Sequence, residues 1–227
     1  TKNLLENLSN QAPGTIYQYQ LFPDGSSRFP YASDGIYEIY AVSPEEVMKD
    51  ASKVFERIHP DDYEQVVNSI QSSADDLEVW HDIYRVVLPE RGERWVEGNA
   101  KPQKLKDGSV LWHGNIKDIT ERKKQNDELN YQYKFQKLLA EIASKLVNVK
   151  IVNMDETINE ILEKIAKFFK VDLGFIYKLS DDGKFMNNTH QWSRKKNLSS
   201  QVEMQKILSK DYPWLLEKLK NNEIIKI

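Results

Sequence analysis

Gly92 to Arg122 reads GERWVEGNAKPQKLKDGSVLWHGNIKDITER, and this stretch decides the fold of the first half of the chain. It contains two strand-like runs, RWVEGNAKPQ and VLWHGNIKDI, which are separated by a polar segment that includes Asp107-Gly108. Because Asp-Gly between strand-like runs is a strong hairpin signal, we expect two antiparallel strands joined by a turn. The second run leads at Asp118 into a polar segment without glycine or proline, which predicts that a helix follows the strand directly.

The residues before this hairpin predict the rest of an antiparallel sheet. Alternating runs at Ile16–Leu21 and Ser27–Tyr31 flank a second Asp-Gly pair, and Val79–Leu88 is a further strand-like run. Ser43-Pro44 and His59-Pro60 each place a capping residue before a proline, as at many helix starts. This succession predicts an α+β domain, a five-stranded antiparallel sheet with helices on one face. The order of the strands within the sheet stays open.

Composition excludes several classes of protein. With 40% apolar residues, 30% charged residues and a net charge of −3, the composition is typical of a globular protein. The 227 residues have room for one large or two small domains, and we expect two. The charge does not favour a nucleic-acid partner, and no run approaches the roughly 18 apolar residues of a membrane span. We therefore expect a cytoplasmic segment. Since cysteine is absent, disulfides and cysteine-linked flavin or bilin adducts are excluded.

A long helix is predicted from Glu121 to Val149. Its apolar residues recur at alternating spacings of four and three, as in a coiled coil. These residues are Phe135, Leu139, Ile142, Leu146 and Val149. The repeat covers only about two heptads, fewer than a coiled-coil assignment needs. Two interpretations stay open: a helix that packs one face on its own domain, and the seam of a parallel homodimer.

The remaining residues predict a second, smaller α+β unit. An amphipathic helix has its apolar face between Ile158 and Phe169. Two strand-like runs, Asp172–Leu179 and Lys184–Trp192, flank a third Asp-Gly pair and predict another hairpin. A further helix is predicted to begin at Pro213, and the last four residues, IIKI, have the pattern of a strand.

Motifs in the first half of the chain resemble a PAS domain with its C-terminal PAC motif. They are Tyr31–Ile36, Ser43–Glu46, Ile58–Asp62, Arg94–Val96 and the run from Asp107 to Thr120. The resemblance covers residues 1–121 and implies a PAS fold. Residues 122–152 would then be a signalling helix, possessing the coiled-coil spacing described above.

The second unit is similar to the N-terminal half of a GAF domain. The residues that carry this resemblance are Ile161-Leu162, Phe168-Phe169, Leu173–Tyr177, Pro213–Leu216 and Ile224-Ile225. It covers residues 153–227 and implies a GAF domain that is truncated, because a complete one needs more strands and a closing helix.

Two sets of residues are candidates for function. Alternation along the two strands of the opening hairpin places several small residues on one face, where they could leave a cavity between sheet and helices. The candidate ligand pocket consists of Val96, Gly98, Ala100, Trp112, Gly114 and Ile116. The candidate signal-transmission segment consists of Asp118, Ile119, Thr120, Glu121 and Arg122. Its short polar side chains suit capping of the first helical turn.

No catalytic or metal site is predicted. None of the four histidines has a second histidine at metal-ligand spacing. We expect His59 to cap a helix rather than to bind haem, and His81 and His113 to lie on the outer sheet face rather than in a cavity. The acidic residues lie in turns and helix starts, and no Gly-rich phosphate loop occurs. We therefore expect no enzyme within these residues, and the sequence identifies no cofactor.

The resemblance implies the sensory and signal-transmission region of a bacterial sensor histidine kinase of a two-component system. Binding of a small molecule or partner would change the packing of the helices on the sheet and alter the helix after Thr120. The linker helix would form a homodimer. Three alternatives stay open: the sensory region of a cyclic-di-GMP synthase or hydrolase, a sensor that binds haem or flavin, and a PAS domain that dimerises without a ligand.

Overall fold

The structure is a computed structural model that describes residues 14–194 and 207–220. The chain divides after Leu129 into two compact units, and each is described by itself. Within the described ranges, no helix is both long enough and apolar enough to cross a membrane.

The first unit is built on a five-stranded antiparallel sheet. Its strands are β1 (Thr15–Leu21), β2 (Ser27–Ala32), β3 (Trp80–Leu88), β4 (Gly92–Lys104) and β5 (Val110–Asp118). Their order across the sheet is β2-β1-β5-β4-β3, so the last strand in sequence lies in the centre beside the first. The five-stranded antiparallel sheet predicted from the sequence is confirmed.

Two of the turns in this sheet use the Asp-Gly pairs. Gly25 and Gly108 have φ angles of 85° and 86°, in the left-handed region that residues with a Cβ rarely adopt. In the second turn the Asp107 carboxylate accepts hydrogen bonds from the backbone N–H of Ser109 (3.0 Å) and from its hydroxyl (2.6 Å). These bonds fix the turn and with it the register of β4 against β5.

Four helices follow β2 and cover one face of the sheet. They are α1 (Gly35–Tyr40), α2 (Pro44–Val47), α3 (Ser52–Phe55) and α4 (Pro60–Asp76). Ser43 and Glu46 form a capping box at the start of α2, since each side chain bonds to the other residue's backbone N–H. At the start of α4, Nδ1 of His59 accepts a hydrogen bond from the backbone N–H of Asp61 at 3.2 Å. His59 therefore has the capping position expected from the sequence.

The hydrophobic core lies between these helices and the inner face of the sheet. Side chains alternate along each strand, and every second residue of β3, from Trp80 to Leu88, is buried. Val96 from β4, Trp112 from β5 and Ile36 from α1 are buried in the same cluster. The other sheet face, which we call the outer face, includes exposed side chains such as His81.

A long helix and a small three-stranded sheet follow. The long helix is α5 (Thr120–Asn148), and the later elements are α6 (Met154–Phe168), β6 (Leu173–Leu179), β7 (Phe185–Ser193), β8 (Ile207–Leu208) and α7 (Pro213–Lys220). The strands are ordered β6-β7-β8, and α6 packs on β7. Buried Ile161, Leu162 and Ala166 explain this packing, since they form the apolar face of α6.

Within the second unit, α5 contacts α6 through aromatic rings and ion pairs. The ring of Phe135 lies 5.8 Å from that of Phe168, and Lys164 Nζ donates to Glu141 Oε2 at 2.5 Å. Leu139 and Leu146, which share the predicted heptad seam with Phe135, remain exposed. Phe135 thus packs within its own chain, while the homodimer seam stays a prediction. The predicted strand of the last four residues, Ile224–Ile227, lies outside the described residues.

Candidate functional site

A small cavity lies between the sheet and the helices of the first unit. It measures about 30 Å³, room for one or two water molecules. Pockets that hold drug-sized ligands measure roughly 300–1,000 Å³, so a larger ligand would have to displace wall side chains. Aromatic residues dominate the wall: Tyr17, Tyr19, Phe29, Tyr40, Phe55, Trp80, Tyr84 and Trp112. We call this space the aromatic cavity.

Two indole N–H groups and two tyrosine hydroxyls of the aromatic wall have hydrogen-bond partners in α4 or within the wall. Trp112 Nε1–H donates to Ser73 Oγ and Trp80 Nε1–H donates to Ser69 Oγ, each at 2.9 Å. The hydroxyls of Tyr40 and Tyr84 share a hydrogen bond of 2.5 Å. Lining residues with a permanent charge are absent from the described part of the wall. The cavity therefore suits the uncharged part of a molecule.

Burial keeps the tyrosines of this wall neutral. The pKa of Tyr84 is raised from its ordinary value chiefly by desolvation, and the pKa of Tyr40 is raised for the same reason, with a further contribution from Tyr84. Desolvation also raises the pKa of Tyr17. Their phenol groups remain protonated well above neutral pH, so the tyrosines add no charge to the wall.

The structure divides the six residues of the predicted pocket. Trp112 and Ile116 line the aromatic cavity, whereas Val96, Gly98, Ala100 and Gly114 lie beside it in the sheet. The small residues of this set were expected to leave an empty space between the sheet and the helices.

Neighbouring groups instead occupy the space above both glycines. A Cβ on Gly98 would lie 2.4 Å from Cζ3 of Trp80, because the indole covers this glycine. A Cβ on Gly114 would lie 2.5 Å from both Asn99 O and the Cβ of Ala100. The glycines therefore allow close packing rather than forming the cavity.

The helix-side wall was missed by sequence reasoning. Tyr40 and Phe55 contribute to it from α1 and α3, and Val66 and Ile70 from α4. From the sequence, no residue of these helices was assigned to the candidate pocket. Helices as short as α1 and α3 are too short for a periodicity that would identify their inner face.

The predicted transmission segment forms the junction between β5 and α5. The Ile119 N–H donates to Trp95 O at 2.8 Å, and the Trp95 N–H donates to Thr120 Oγ1 at 2.9 Å. The Thr120 N–H in turn donates to Asp118 Oδ1 at 2.8 Å. The first residues of α5 are thus fixed to β4 through both backbone groups of Trp95.

The next residues extend this attachment over the outer sheet face. Arg122 donates to Glu97 Oε2 at 2.8 Å, and Nζ of Lys123 lies 4.7 Å from the ring centre of Trp95. Hydrogen bonds from Arg122 and then from His81 lower the pKa of the Glu97 carboxyl. Glu121 is exposed and accepts a hydrogen bond from Gln125 within α5. Four of the five predicted residues therefore contact β4 or cap the junction, and Glu121 contacts its own helix.

An ion pair connects α4 to β3. Arg85 of β3 donates to Asp62 through its backbone N–H (2.8 Å), Nε (2.9 Å) and a terminal nitrogen (2.5 Å). The guanidinium also lies 5.7 Å from the ring centre of Trp95. In the sequence, Asp62 belongs to the motif Ile58–Asp62, which gave no indication of an ion pair with β3.

We expect the Asp62→Asn substitution to remove an acid-sensitive contribution to stability. Hydrogen bonds from Arg85 lower the pKa of Asp62, so its carboxylate stabilises the fold above the ordinary aspartate pKa of about 3.9. This contribution disappears as pH falls through the folded-state pKa. The urea midpoint of the variant should be lower than that of the wild type at pH 6; the difference should begin to shrink below about pH 4 and should vanish only below the lowered pKa of folded Asp62. A constant difference down to pH 2 would contradict this assignment.

The histidines form no metal site within residues 14–194 and 207–220. His81 lies on the outer face with Nε2 3.3 Å from Glu97 Oε1, and Nδ1 of His113 lies 3.3 Å from Gln18 Nε2. His190 is buried in β7 of the second unit. The aromatic cavity has no histidine in its described wall.

One family model matches part of the chain: residues 29–116 match a family described as PAS fold. The match begins in β2, ends in β5 and includes α1 to α4. No curated protein sequence matches the chain.

Solved structures are similar to parts of the chain. A sensory box histidine kinase/response regulator from Burkholderia thailandensis E264 is 20% identical, with 60% of this chain and 97% of that chain covered and a TM-score of 0.43. A domain of a putative light and redox sensing histidine kinase from Haloarcula marismortui is 24% identical, with 53% and 100% covered and a TM-score of 0.41. The N-terminal domain of a diguanylate cyclase with PAS/PAC sensor from Marinobacter aquaeolei is 19% identical, with 48% and 97% covered and a TM-score of 0.40.

Proposed function

From the PAS fold of residues 29–116, we propose that the first unit is a sensor whose aromatic cavity responds to a small molecule and whose last strand carries the response into α5. The observation that supports this most directly is the position of β5. Trp112 and Ile116 of this strand line the cavity, and α5 begins at Thr120, two residues after the strand ends. No glycine or proline separates the cavity wall from the helix.

The proposed mechanism uses the hydrogen bonds at the junction. A ligand that moves Ile116 or Trp112 displaces β5 against β4, and this changes the bonds that Ile119 and Thr120 make with Trp95. Because these bonds fix the start of α5, two arrangements of β5 correspond to two exit directions of the helix. The ligand shifts the balance between them through its different affinity for each.

For the parent protein, we propose a cytoplasmic bacterial sensor histidine kinase. In this proposal residues 1–121 are the sensor, residues 122–152 the signalling helix, and residues 153–227 the N-terminal half of a GAF domain. Exposed Leu139 and Leu146 are candidate contacts of a homodimer formed by α5. The support is the resemblance of the motifs, together with a second unit in which α6 packs on β6 and β7 of a three-stranded sheet.

The gene around this segment tests the parent protein. A phosphoacceptor histidine helix and an ATP-binding domain in the same gene would support the kinase. A GGDEF or EAL signature in their place would identify a cyclic-di-GMP synthase or hydrolase and overturn the kinase assignment. The sensor mechanism is tested separately, on the chain itself.

We expect the Val66→Ala substitution to accelerate amide hydrogen exchange at Ile119 and Lys123. Val66 is buried and lines the cavity from α4, so a smaller side chain at this position changes how the helix side of the cavity packs against β5. Val47 is equally buried but does not line the cavity, which makes Val47→Ala the matched control. A coupling free energy of about 0.5–2 kcal/mol between the cavity wall and the junction corresponds to a difference of about 2–30-fold in exchange rate between the two variants.

The Thr120→Val substitution completes this test. It removes the hydroxyl that accepts from the Trp95 N–H, and it should abolish the difference between Val66→Ala and Val47→Ala. If both valine variants change exchange at the junction equally, or if Thr120→Val leaves their difference intact, β5 does not transmit through Trp95 and the mechanism fails.

A further inference from the structure

An open cleft on the surface of the first unit adjoins the aromatic cavity. It has a volume of about 780 Å³ and lies between the β1–β2 hairpin, α3 and α4. Its lining includes Leu21, Ser27, Tyr63 and Val67, and we call it the outer cleft. It shares three lining residues with the aromatic cavity, Tyr19, Phe55 and Ile70. These three side chains therefore separate the buried space from solvent.

The outer cleft combines apolar and polar surface. Tyr63 and Val67 on α4 are 47% and 37% exposed, and they continue the apolar wall outwards. Lys49, Asp50 and Glu56 surround this apolar strip. An uncharged molecule would thus meet apolar surface from the cleft inwards, whereas a charged one would lose hydration on passing Phe55 without gaining a partner in the wall.

Phe55 is the residue of the shared wall that is best placed to move. Its ring lies 6.0 Å from the ring of Tyr19 and is partly exposed. It belongs to α3, a helix of only four residues. A rotation of this side chain towards the cleft requires no break in the sheet or in α4. It would leave a space of the size of one aromatic ring next to the existing 30 Å³.

We propose that the outer cleft is the entrance to the aromatic cavity, that Phe55 is its gate, and that the ligand is an uncharged molecule with one aromatic ring. The incoming ring takes the space of the Phe55 ring and makes edge-to-face contacts with the aromatic wall. The 30 Å³ beyond it accommodates one small substituent. A hydroxyl substituent can bond to the Tyr40–Tyr84 pair. This inference rests on the proposed sensory role of the cavity and adds the ligand class and its route.

The test uses phenol and toluene as probes, with benzoate as the charged analogue. Titration of the full chain, followed by NMR line shapes, gives the dissociation constant and both rate constants. Phenol and toluene should bind saturably, and benzoate at least about tenfold more weakly because its carboxylate has no partner in the cavity. Phe55→Leu removes the gate ring while keeping an apolar side chain, and it should bind toluene about tenfold more tightly, because less of the site has to open.

A tryptophan substitution at the entrance tests the route of entry separately from the binding site. Val67 lines the cleft but not the cavity, so Val67→Trp should lower the association and dissociation rates of toluene by the same factor and leave its dissociation constant within about twofold. Val87→Trp, at a position that is 43% exposed on β3 and outside the cleft, is the matched control and should change neither rate.

The outcomes separate this inference from the proposed function. If the probes bind but Val67→Trp and Phe55→Leu leave the rates unchanged, the entrance is wrong and a ligand-binding cavity remains. If neither the wild type nor Phe55→Leu binds an uncharged probe at millimolar concentration, the ligand class is wrong. Transmission from the cavity wall to α5 is still decided by the Val66→Ala and Thr120→Val variants, which need no ligand.

Discussion

Replacement of Trp112 by alanine is expected to lower the free energy of unfolding of the first unit by about 3–5 kcal/mol, the range typical of a buried tryptophan. The side chain is 2% exposed, its Nε1–H donates to Ser73 Oγ, and its ring lies 5.5 Å from that of Tyr19. Alanine removes all of these contacts and enlarges the aromatic cavity. Urea unfolding of the full chain, monitored by amide hydrogen exchange in β5, measures the change in the free energy of unfolding.

Tyr37 provides the control for this substitution. It lies on α1 and is 58% exposed, so Tyr37→Ala should change the free energy of unfolding by no more than about 0.5 kcal/mol. A cost below about 1.5 kcal/mol for Trp112→Ala would show that the wall is loosely packed, since surrounding side chains would then have closed the space.

The Gly114→Ala substitution is expected to destabilise the first unit by about 2–3 kcal/mol, near the upper end of the range for overpacking. The added methyl group would lie 2.5 Å from the carbonyl oxygen of Asn99 in β4. A backbone carbonyl within a ladder of hydrogen bonds cannot move without a displacement of the strand. The same unfolding measurement applies.

Two comparisons sharpen this prediction. At Gly98 the nearest obstructing atoms belong to the Trp80 side chain, which can shift without displacing a strand, so Gly98→Ala should cost less than Gly114→Ala. Lys117→Ala, on the exposed face of β5, should be nearly neutral. If Gly98→Ala destabilises the first unit more than Gly114→Ala does, the Trp80 indole is held more firmly than the β4 backbone. This explanation of the two effects would then be wrong.

The sheet was predictable because its signals are local. The pairs that end in Gly25 and Gly108 mark the turns, and the alternation in β3 marks a strand with one buried face. The capping positions of Ser43 and His59 likewise depend only on the next few residues. The order of the strands has no local signal, since it depends on which strand β5 meets after the helices have packed.

The cavity wall was only partly predictable for a related reason. Alternation correctly placed Trp112 and Ile116 on the inner face, but it could not show that the Trp80 indole covers Gly98. A small side chain leaves room only if no neighbour fills that room, and the neighbour here comes from another strand. The helix-side residue Phe55 belongs to a four-residue helix with no periodicity to read.

Because its wall is neutral, the aromatic cavity should select neutral over charged molecules, as an apolar solvent does. The pKa values of Tyr17, Tyr40 and Tyr84 are raised by burial, and charged side chains are absent from the described wall. A weak acid or base would therefore partition into the cavity only as its neutral species, as it would into a lipid bilayer. For such a molecule, the pH of the solution would set the concentration of the neutral species that is available to bind in the cavity.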